Sequence, residues 1–186
     1  MLEDQLRTPV SSSLTRWLVH HGRMTDVARC LGRCFTLSGQ VVQGERRGRT
    51  LGVPTVNLDA TSFVGRAMPG VGVYAGYVTL EDLSEYAAAI SIGLKPTFRG
   101  QTLAIEAHLL DFHGELYERP ITIHFSRWLR DQQRFPGLEA LRAQLHRDIE
   151  QTRNLHELGL LRGLADDGRR QLRREAEPTS TATNDS

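Results

Sequence analysis

The sequence predicts a mainly β protein, a small antiparallel barrel with a helical segment before it and a helix after it. Three observations support this fold class. Between about residues 35 and 125, short β-prone runs alternate with glycine and proline. No helical pattern separates these runs, which argues against a parallel sheet built from strand–helix–strand units. The chain has 186 residues, 39% of them hydrophobic, which is enough to bury one barrel core.

Five strands follow directly from the residue pattern, and a sixth is compatible with it. The alternation is clearest after residue 102, where Leu103, Ile105 and Ala107 are separated by polar or small residues. The predicted strands cover residues 35–42, 72–80, 86–92, 102–112 and 118–125. Because no helix intervenes, we expect these strands to pair antiparallel and to close on themselves.

Helices are predicted at both ends of the chain. The serines that begin at Ser11 can cap a helix whose apolar residues follow at helical spacing, and after Gly22 a second amphipathic pattern runs to Leu31. Residues 138–149 carry apolar side chains every three or four positions and predict a third helix. Residues 175–186 contain almost nothing to bury, so we expect them to be disordered.

The composition argues against several classes of protein. A net charge of +1 and 6% aromatic residues give no general attraction for nucleic acid or acidic membranes. Cys30 and Cys34 have no partner ligands at zinc spacing and no disulfide framework, so we expect reduced thiols and a cytoplasmic protein. No apolar run approaches the roughly 20 residues of a membrane span, and the first residues do not resemble a signal peptide.

Residues 44–58 contain a glycine- and arginine-rich loop that differs from a Walker-type phosphate loop. Gly44 and Gly48 are one residue too close together, and Arg49 stands where a lysine belongs. Pro54 prevents the helix that must follow such a loop. The sequence therefore excludes a Walker loop but leaves a flexible glycine loop followed by a rigid turn.

Thr55 and Asn57 lie just after this loop and are two residues apart. In an extended segment both side chains point to the same face. A hydroxyl oxygen and an amide oxygen on one face are neutral ligands suited to Mg²⁺ that also takes oxygens from a nucleotide's phosphates. The alternative is a surface hairpin that carries some arginines, and the residues alone favour this plainer interpretation.

Glu106 is a single carboxylate within an otherwise apolar strand. The alternation places Glu106, His108 and Leu110 on the face opposite Ile105 and Ala107. Beside a metal-bound nucleotide, this carboxylate could accept a proton from a hydroxyl that attacks phosphorus. The alternative is a solvated face of the strand, and Glu106 taken by itself favours this plainer interpretation.

Residues 128–135 connect the last predicted strand to the helix and combine Arg130 with Phe135. A planar guanidinium and an aromatic ring in one loop can hold a flat heteroaromatic ring between them or against its edge. The alternative is an ordinary connection in which Phe135 fills the core.

Together these stretches resemble the riboflavin kinase (flavokinase) family, and in particular the kinase module of bacterial bifunctional riboflavin kinase/FAD synthetases. The resemblance covers about residues 31–151, and several independent motifs occur in the family's order. The matching segments are residues 31–44, 48–58 with Pro-Thr-Val-Asn, 69–76, 91–98, 106–112 and Leu129-Arg130 with Phe135 beyond them.

The resemblance implies a six-stranded Greek-key barrel with a C-terminal helix. It implies transfer of the γ-phosphate of ATP to the ribityl 5′-hydroxyl of riboflavin, giving FMN and ADP. Glu106 would be the catalytic base, and Thr55 and Asn57 would bind Mg²⁺ and phosphate. The family's other ATP contacts fall on Gly44, Gly48, Arg49, Gly52, Pro54, Leu109, Asp111 and Tyr117, and its flavin contacts fall on Arg130, Gln133 and Phe135.

The sequence departs from the family pattern at three positions, none of which removes a catalytic group. Val56 replaces an alanine but points away from the Thr55 and Asn57 face. Glu118 replaces a glycine that often follows the aromatic residue, which puts the conformation of that turn in doubt. Cys34 replaces a proline.

Residues 10–16 resemble the motif that closes the adenylyltransferase domain of the bifunctional enzymes, whereas the His-x-Gly-His signature of that domain is absent from this sequence. We therefore expect a helical remnant (residues 1–30), a kinase domain (31–162) and a flexible tail (163–186). We expect no conversion of FMN to FAD, and the adenylyltransferase would be a separate or deleted partner.

Two other functions remain as alternatives. A barrel of the OB-like type could bind nucleic acid, although it would need a basic groove with exposed stacking aromatics. A flavin- or nucleotide-binding module could also have lost catalysis, although Thr55, Asn57 and Glu106 are all retained. The resemblance favours the kinase over both.

Overall fold

The computed structural model describes residues 10–44, 48, 51–97 and 100–162, which form a closed barrel with helices before and after it. Arg49 and the predicted tail lie outside the described residues. The elements in chain order are α1 (Ser12–His20), α2 (Met24–Leu31), β1 (Phe35–Val42), β2 (Val56–Leu58), a 3₁₀ helix (Ala60–Phe63), β3 (Gly72–Thr79), β4 (Glu85–Thr97), β5 (Gly100–Leu109), β6 (Pro120–Arg130) and α3 (Leu138–Glu157).

The six strands follow one another around the barrel in the order β1-β2-β5-β4-β3-β6, with β6 paired back onto β1. Every pair is antiparallel. β2 and β3 are consecutive in the chain but are not neighbours in the barrel, so the segment with the 3₁₀ helix crosses from one part of the sheet to another. This order is of the Greek-key type, and the predicted fold class is confirmed.

The core of the barrel is filled by the inward-facing residues that the alternating pattern predicts. On β5, Ile105 and Ala107 are buried, whereas Glu106 between them is about one-third exposed. On β3 and β6, the ring of Tyr74 meets the ring of Phe125 edge-on, with centroids 5.3 Å apart. Each fully buried aliphatic or aromatic side chain of this kind contributes about 1.5–3 kcal/mol to folding.

The two N-terminal helices pack on the barrel and share its core. The hydroxyl of Ser11 accepts a hydrogen bond from the N–H of Leu14, so the serine cluster caps α1 as predicted. Val19 of α1 and Met24 and Val27 of α2 are buried in the same apolar cluster as the strands. The predicted domain boundary at residue 30 stays a prediction, although the apolar core continues across it.

Three strands end more than one residue away from their predicted ends. β6 runs to Arg130 and not to residue 125, so Arg130, predicted in the connection to the last helix, lies in the strand. β4 continues past residue 92 to Thr97 because its backbone pairing with β5 continues that far. β5 stops at Leu109, and the chain turns at Asp111 with a positive φ of 57°. Leu110, expected beside Glu106 on the polar face, is therefore buried in a second apolar cluster with Tyr77.

The last helix is longer than predicted. α3 runs to Glu157, beyond residue 149, and Thr152 is buried in this added part, where its hydroxyl donates a hydrogen bond to the carbonyl of Asp148. The chain then folds back, and the hydroxyl of Ser126 donates a hydrogen bond to the carbonyl of buried Leu161. The Cys34 thiol also lies against this carbonyl, so the replacement of a proline by Cys34 fits a buried position.

The turn before β6 contains Glu118, at the position where the family often has a glycine. Glu118 adopts a positive φ of 60°, which is uncommon for a residue with a Cβ. Its N–H donates to the carbonyl of Val41, and its carbonyl accepts a hydrogen bond from the Gln40 side chain at 3.1 Å. The tertiary contacts of β1 therefore hold this turn in a conformation that the local sequence disfavours.

Candidate functional site

A cluster of polar side chains lies on the outer face of the barrel where β2, β5 and β4 meet. The strand register sets Asn57 of β2 opposite Glu106 of β5, and Glu106 opposite Ser91 of β4. The hydroxyl of Thr55, just before β2, lies 3.4 Å from one carboxylate oxygen of Glu106, Oε2. The structure therefore brings together the three residues singled out for chemistry in the sequence, Thr55, Asn57 and Glu106.

Lys95 belongs to the same cluster, although the sequence pattern gave no reason to place it there. Its Nζ lies 2.7 Å from the other carboxylate oxygen of Glu106, Oε1, and 3.4 Å from the amide oxygen of Asn57. The side chains of Lys95 and Glu106 are both about one-third exposed. Because β4 extends beyond its predicted end, Lys95 lies on the strand that pairs with β5 and can reach Glu106.

The first of two cavities beside this cluster has a volume of about 340 Å³ and opens between β4, β5, the end of β6 and α3. It has polar groups at its ends and aliphatic side chains from α3 along one wall. Six of the predicted site residues line it, namely Gly48, Thr55, Glu106, Arg130, Gln133 and Phe135.

The second cavity has a volume of about 430 Å³ and lies on the other side of the cluster. Gly44, Asn57 and Lys95 line it together with residues of β1, β2 and β5. The ion pair between Lys95 and Glu106 therefore joins a residue of the second cavity to a residue of the first. The polar cluster forms the wall between the two.

Two glycines allow the backbone to approach the cluster closely. A Cβ atom on Gly44 would collide with the side-chain amide of Asn57, and one on Gly48 would collide with the carbonyl of Val53 and press on the hydroxyl of Thr55. The Asn57 side chain at Gly44 and the Val53 carbonyl at Gly48 occupy the space where a Cβ atom would lie. The absence of a side chain at both positions therefore lets the loop backbone lie against Asn57 and Thr55.

Arg130 and Asp148 form a buried ion pair at the base of the first cavity. The guanidinium Nε and Nη2 donate to the two carboxylate oxygens at 2.9 and 2.7 Å, and the side chains are only 15% and 4% exposed. Gln144 donates a further hydrogen bond to Asp148. This bidentate pair ties the end of β6 to α3 and presents the guanidinium 5.9 Å from the centre of the Phe135 ring.

Gln132 and His108 also line the first cavity, although neither is among the predicted site residues. The Gln132 side chain donates to the hydroxyl of Ser91 at 2.8 Å and to the carbonyl of Ile92, which fixes the loop after β6 onto β4. The Nδ1 of His108 lies 2.7 Å from the carbonyl of Pro54. A carbonyl only accepts, so Nδ1 carries the proton.

Burial lowers the pKa of His108 from its ordinary value, and the nearby charges of Arg153 and His146 lower it further, while the Pro54 hydrogen bond and Asp111 oppose the shift. The imidazole is therefore favoured in its neutral form. Its hydrogen bond connects β5 to the segment that carries Thr55, so His108 helps to position the polar cluster.

Three of the predicted ATP contacts, Leu109, Asp111 and Tyr117, are not among the described residues that line the two cavities. Leu109 is buried in the core and Tyr117 is half exposed. Asp111 forms an ion pair with Arg153 at 2.7 Å, and that hydrogen bond lowers the pKa of the Asp111 carboxyl. Their assignment to ATP stays a prediction.

Gly52 and Pro54 contribute backbone groups to the segment that leads to Thr55. Gly52 turns the chain with a positive φ of 76°, and the carbonyl of Pro54 holds His108. Within the part of the chain that the structure describes, no group of three or more His, Cys, Asp or Glu residues could hold a metal ion. No described helix is long and apolar enough to cross a membrane.

The structure is thus a small closed barrel in which a carboxylate, an ammonium, a hydroxyl and an amide lie together between two cavities. The family profile described as riboflavin kinase matches residues 31–156. The chain therefore belongs to the riboflavin kinase family, and the resemblance seen in the sequence is confirmed.

The curated relatives are named bifunctional riboflavin kinase/FMN adenylyltransferases. The protein from Pseudomonas fluorescens is 40% identical over 153 residues, which is 82% of this chain and 47% of the relative. Those from Listeria monocytogenes and Escherichia coli K12 are each 35% identical, over 77% and 75% of this chain and 45% and 44% of the relative. The chain spans about half the length of the curated relatives it matches.

Two solved structures share the fold. A chain from Streptococcus pneumoniae titled as a macrolide-efflux protein aligns with a TM-score of 0.73 and 32% identity, covering 80% of this chain and 48% of that one. The riboflavin kinase of Trypanosoma brucei aligns with a TM-score of 0.50 and 24% identity, covering 69% and 83%. The second match supports the fold alone.

Proposed function

We propose that this protein transfers the γ-phosphate of ATP to the ribityl 5′-hydroxyl of riboflavin, giving FMN and ADP. The observation that carries the proposal is the position of Glu106, in the wall between two cavities and within reach of Thr55. A phosphoryl transfer needs a donor and an acceptor to meet at one point, and catalysis consists mainly of aligning them and neutralising charge.

We assign riboflavin to the first cavity. Its volume of about 340 Å³ falls within the range of small-molecule sites, and its walls are mostly apolar with a few polar groups. The guanidinium of Arg130 and the ring of Phe135 offer flat surfaces to an isoalloxazine ring, and Gln133 offers an amide. In this arrangement the ribityl chain would extend toward Glu106.

We assign the phosphates of ATP to the side of the cluster that faces Gly44, Asn57 and Lys95. The donor set of the cluster fits Mg²⁺, because Thr55, which lines the first cavity, and Asn57, which lines the second, present neutral oxygens on either side of Glu106. Thr55 and Asn57 are the residues that would hold the ion. When bound, Mg²⁺ would neutralise the negative charge that accumulates on the phosphate oxygens.

Glu106 is the residue that we propose as the base. Its Oε1 is held by Lys95, whereas its Oε2 accepts only the long contact from Thr55. Oε2 is therefore the oxygen that can receive the proton of the ribityl hydroxyl. A positioned base of this kind accelerates proton transfer by roughly 10²–10⁴-fold.

The test is to incubate the purified protein with riboflavin, ATP and Mg²⁺ and to separate the flavins by chromatography. We expect FMN and ADP to form in equal amounts. Replacing ATP by ADP is the control and should give no FMN. Riboflavin that remains unchanged with ATP, in a protein that binds both ligands, would overturn the proposal. An incubation of FMN with ATP tests the separate expectation that no FAD forms.

We propose the cytoplasm as the compartment, where riboflavin and ATP would meet the enzyme. Both cysteines are in the thiol form, which is the usual state in that compartment.

A further inference from the structure

Lys95 is the only lysine in the 186-residue chain, in which the other positively charged side chains are arginine or histidine. It lies at the point where the two cavities meet, lining the second cavity and pairing with Glu106 of the first. Lys95 lies on the part of β4 beyond its predicted end, where β4 is still paired with β5. Lysine therefore occurs once in this protein, at the proposed reaction centre.

The contact of Lys95 makes the two oxygens of Glu106 different. Oε1 accepts a strong ionic hydrogen bond at 2.7 Å, and Oε2 accepts only a 3.4 Å contact. With Oε1 held, the carboxylate cannot rotate freely about its terminal torsion. Lys95 thus leaves Oε2 directed toward the first cavity, where the acceptor hydroxyl is expected.

The second contact of Lys95 is weak and can be exchanged. Its Nζ lies 3.4 Å from the amide oxygen of Asn57, which is beyond the usual length of an N–H···O hydrogen bond. An ammonium has three donors, so it can keep Glu106 and still turn a proton toward an anion in the second cavity. Releasing Asn57 also frees the amide oxygen for a metal ion.

Few of the described cations lie where they could contact a phosphate in the second cavity. Among the described residues that line the two cavities, the fixed positive charges are Lys95 and Arg130. Arg130 already donates two hydrogen bonds to buried Asp148. The carboxylate of Asp59, which lines the second cavity, accepts hydrogen bonds from the N–H and the hydroxyl of Thr61. Lys95 is therefore the described cation that is available to an incoming polyphosphate.

We propose that Lys95 is a positioning residue with two tasks: its ammonium fixes Oε1 of Glu106, and on nucleotide binding it exchanges Asn57 for a phosphate oxygen. The inference rests on the proposed phosphotransfer. In this proposal the Lys95 side chain contacts both Glu106 and the nucleotide. The ammonium therefore orients the Glu106 carboxylate and also screens its negative charge from the phosphates.

Kinetics can separate this role from a structural one. We expect Lys95→Met to lower kcat about ten- to hundredfold through misorientation of Glu106, and to raise the KM for Mg·ATP about tenfold through loss of a charged contact. The Kd for riboflavin, measured by fluorescence quenching, should stay within about twofold because Lys95 does not line the first cavity.

Two further variants sharpen the comparison. Lys95→Arg keeps the cation and should restore the KM for Mg·ATP more fully than kcat, because a guanidinium cannot reproduce the compact geometry of the ammonium. Arg119→Met is the matched control, since it removes a cation whose ion pair within the described residues is with exposed Glu81. It should leave both constants unchanged. Wild-type kcat and KM in Lys95→Met would overturn the proposal.

A chemical experiment tests the phosphate contact without catalysis. Because lysine occurs once, a water-soluble acetylating reagent forms stable amides only at Lys95 and at the amino terminus of the purified protein, which serves as the internal standard. Trypsin cleaves after arginine but not between Lys95 and Pro96, so the site is read by mass spectrometry in the peptide of residues 67–99. We expect saturating Mg·ADP to slow acetylation of Lys95 at least about fivefold, and riboflavin alone to leave it within about twofold.

The outcomes distinguish this inference from the proposed function. If calorimetry shows that Mg·ADP binds but Lys95 is acetylated at the same rate, the role of Lys95 is overturned and the kinase is unaffected. If Mg·ADP protects Lys95 but no FMN forms from riboflavin and ATP, the proposed reaction is overturned while the phosphate contact is supported.

Discussion

The two ion pairs beside the site are built in opposite ways. Arg130 and Asp148 are buried, share two hydrogen bonds and join a strand to a helix. Lys95 and Glu106 are each about one-third exposed and share a single short contact, with weaker contacts to Asn57 and Thr55. The difference indicates that the Arg130–Asp148 pair stabilises the fold. The Lys95–Glu106 pair is open enough to change its contacts.

The largest expected effect comes from breaking the buried pair. Asp148→Ala leaves the Arg130 guanidinium without its partner and should lower the free energy of unfolding by about 3–5 kcal/mol. Glu106→Ala, the matched change in the exposed pair, should cost less than about 1 kcal/mol. Urea unfolding of both variants measures this. Equal losses of unfolding free energy in the two variants would show that the two ion pairs do not differ in their contribution to stability.

The next effect concerns the metal side of the cluster. Thr55→Ala removes a proposed oxygen ligand and should weaken binding of Mg·ADP about tenfold, as expected for loss of a contact to a charged group. Riboflavin affinity should be preserved. Separate calorimetric titrations with Mg·ADP and with riboflavin give the two affinities, and Thr122→Ala, which alters a hydroxyl paired with Ser38, is the control. Unchanged Mg·ADP affinity would exclude Thr55 as a ligand.

A smaller effect depends on pH and on His108. Burial lowers the pKa of His108 in the folded protein, so the unfolded chain binds a proton more readily. Stability should therefore fall as the pH drops below the ordinary histidine value of 6.5, and it is insensitive to this group above that value. His108→Asn cannot titrate, but its amide can still donate to Pro54.

The measurement is urea unfolding at pH 7.5 and 5.5. The loss of stability between these values should be smaller in His108→Asn than in the wild type, and the six other histidines are common to both proteins. An equal loss in the two proteins would show that His108 does not contribute to the pH dependence.

The smallest expected effect lies away from both ion pairs, at the turn of Glu118. Glu118→Gly relieves a positive φ but makes the unfolded chain more flexible. The net gain should be about 0.5–1 kcal/mol in unfolding free energy, with the kinase assay unchanged. A loss of stability would mean that contacts of the Glu118 side chain outweigh the backbone strain.

Much of the fold could be predicted because the strand pattern is local. The bounds of β1 agree with the predicted 35–42, and the alternation on β5 places Ile105 inward and Glu106 outward as expected. Extended geometry alone also predicted that Thr55 and Asn57 share a face, and both contact the Glu106 and Lys95 pair.

The two ion pairs could not be predicted in the same way, since each joins residues that are distant in sequence. Lys95 reaches Glu106 only because strand pairing extends β4 past the β-prone run. The burial of Asp148 could have been predicted from the sequence. It falls on the apolar stripe of α3, seven positions after Leu141 and three after Leu145, and a charge on such a stripe indicates a buried partner.

The central claim is that Glu106 acts as the base between the two cavities. Single-turnover phosphorylation of riboflavin by Glu106→Gln tests it most directly, with Glu81→Gln as a control for an exposed carboxylate. We predict that the rate falls at least about a hundredfold while riboflavin and Mg·ADP affinities remain near those of the wild type. A rate equal to that of the wild type, with both ligands bound, would contradict the role assigned to Glu106.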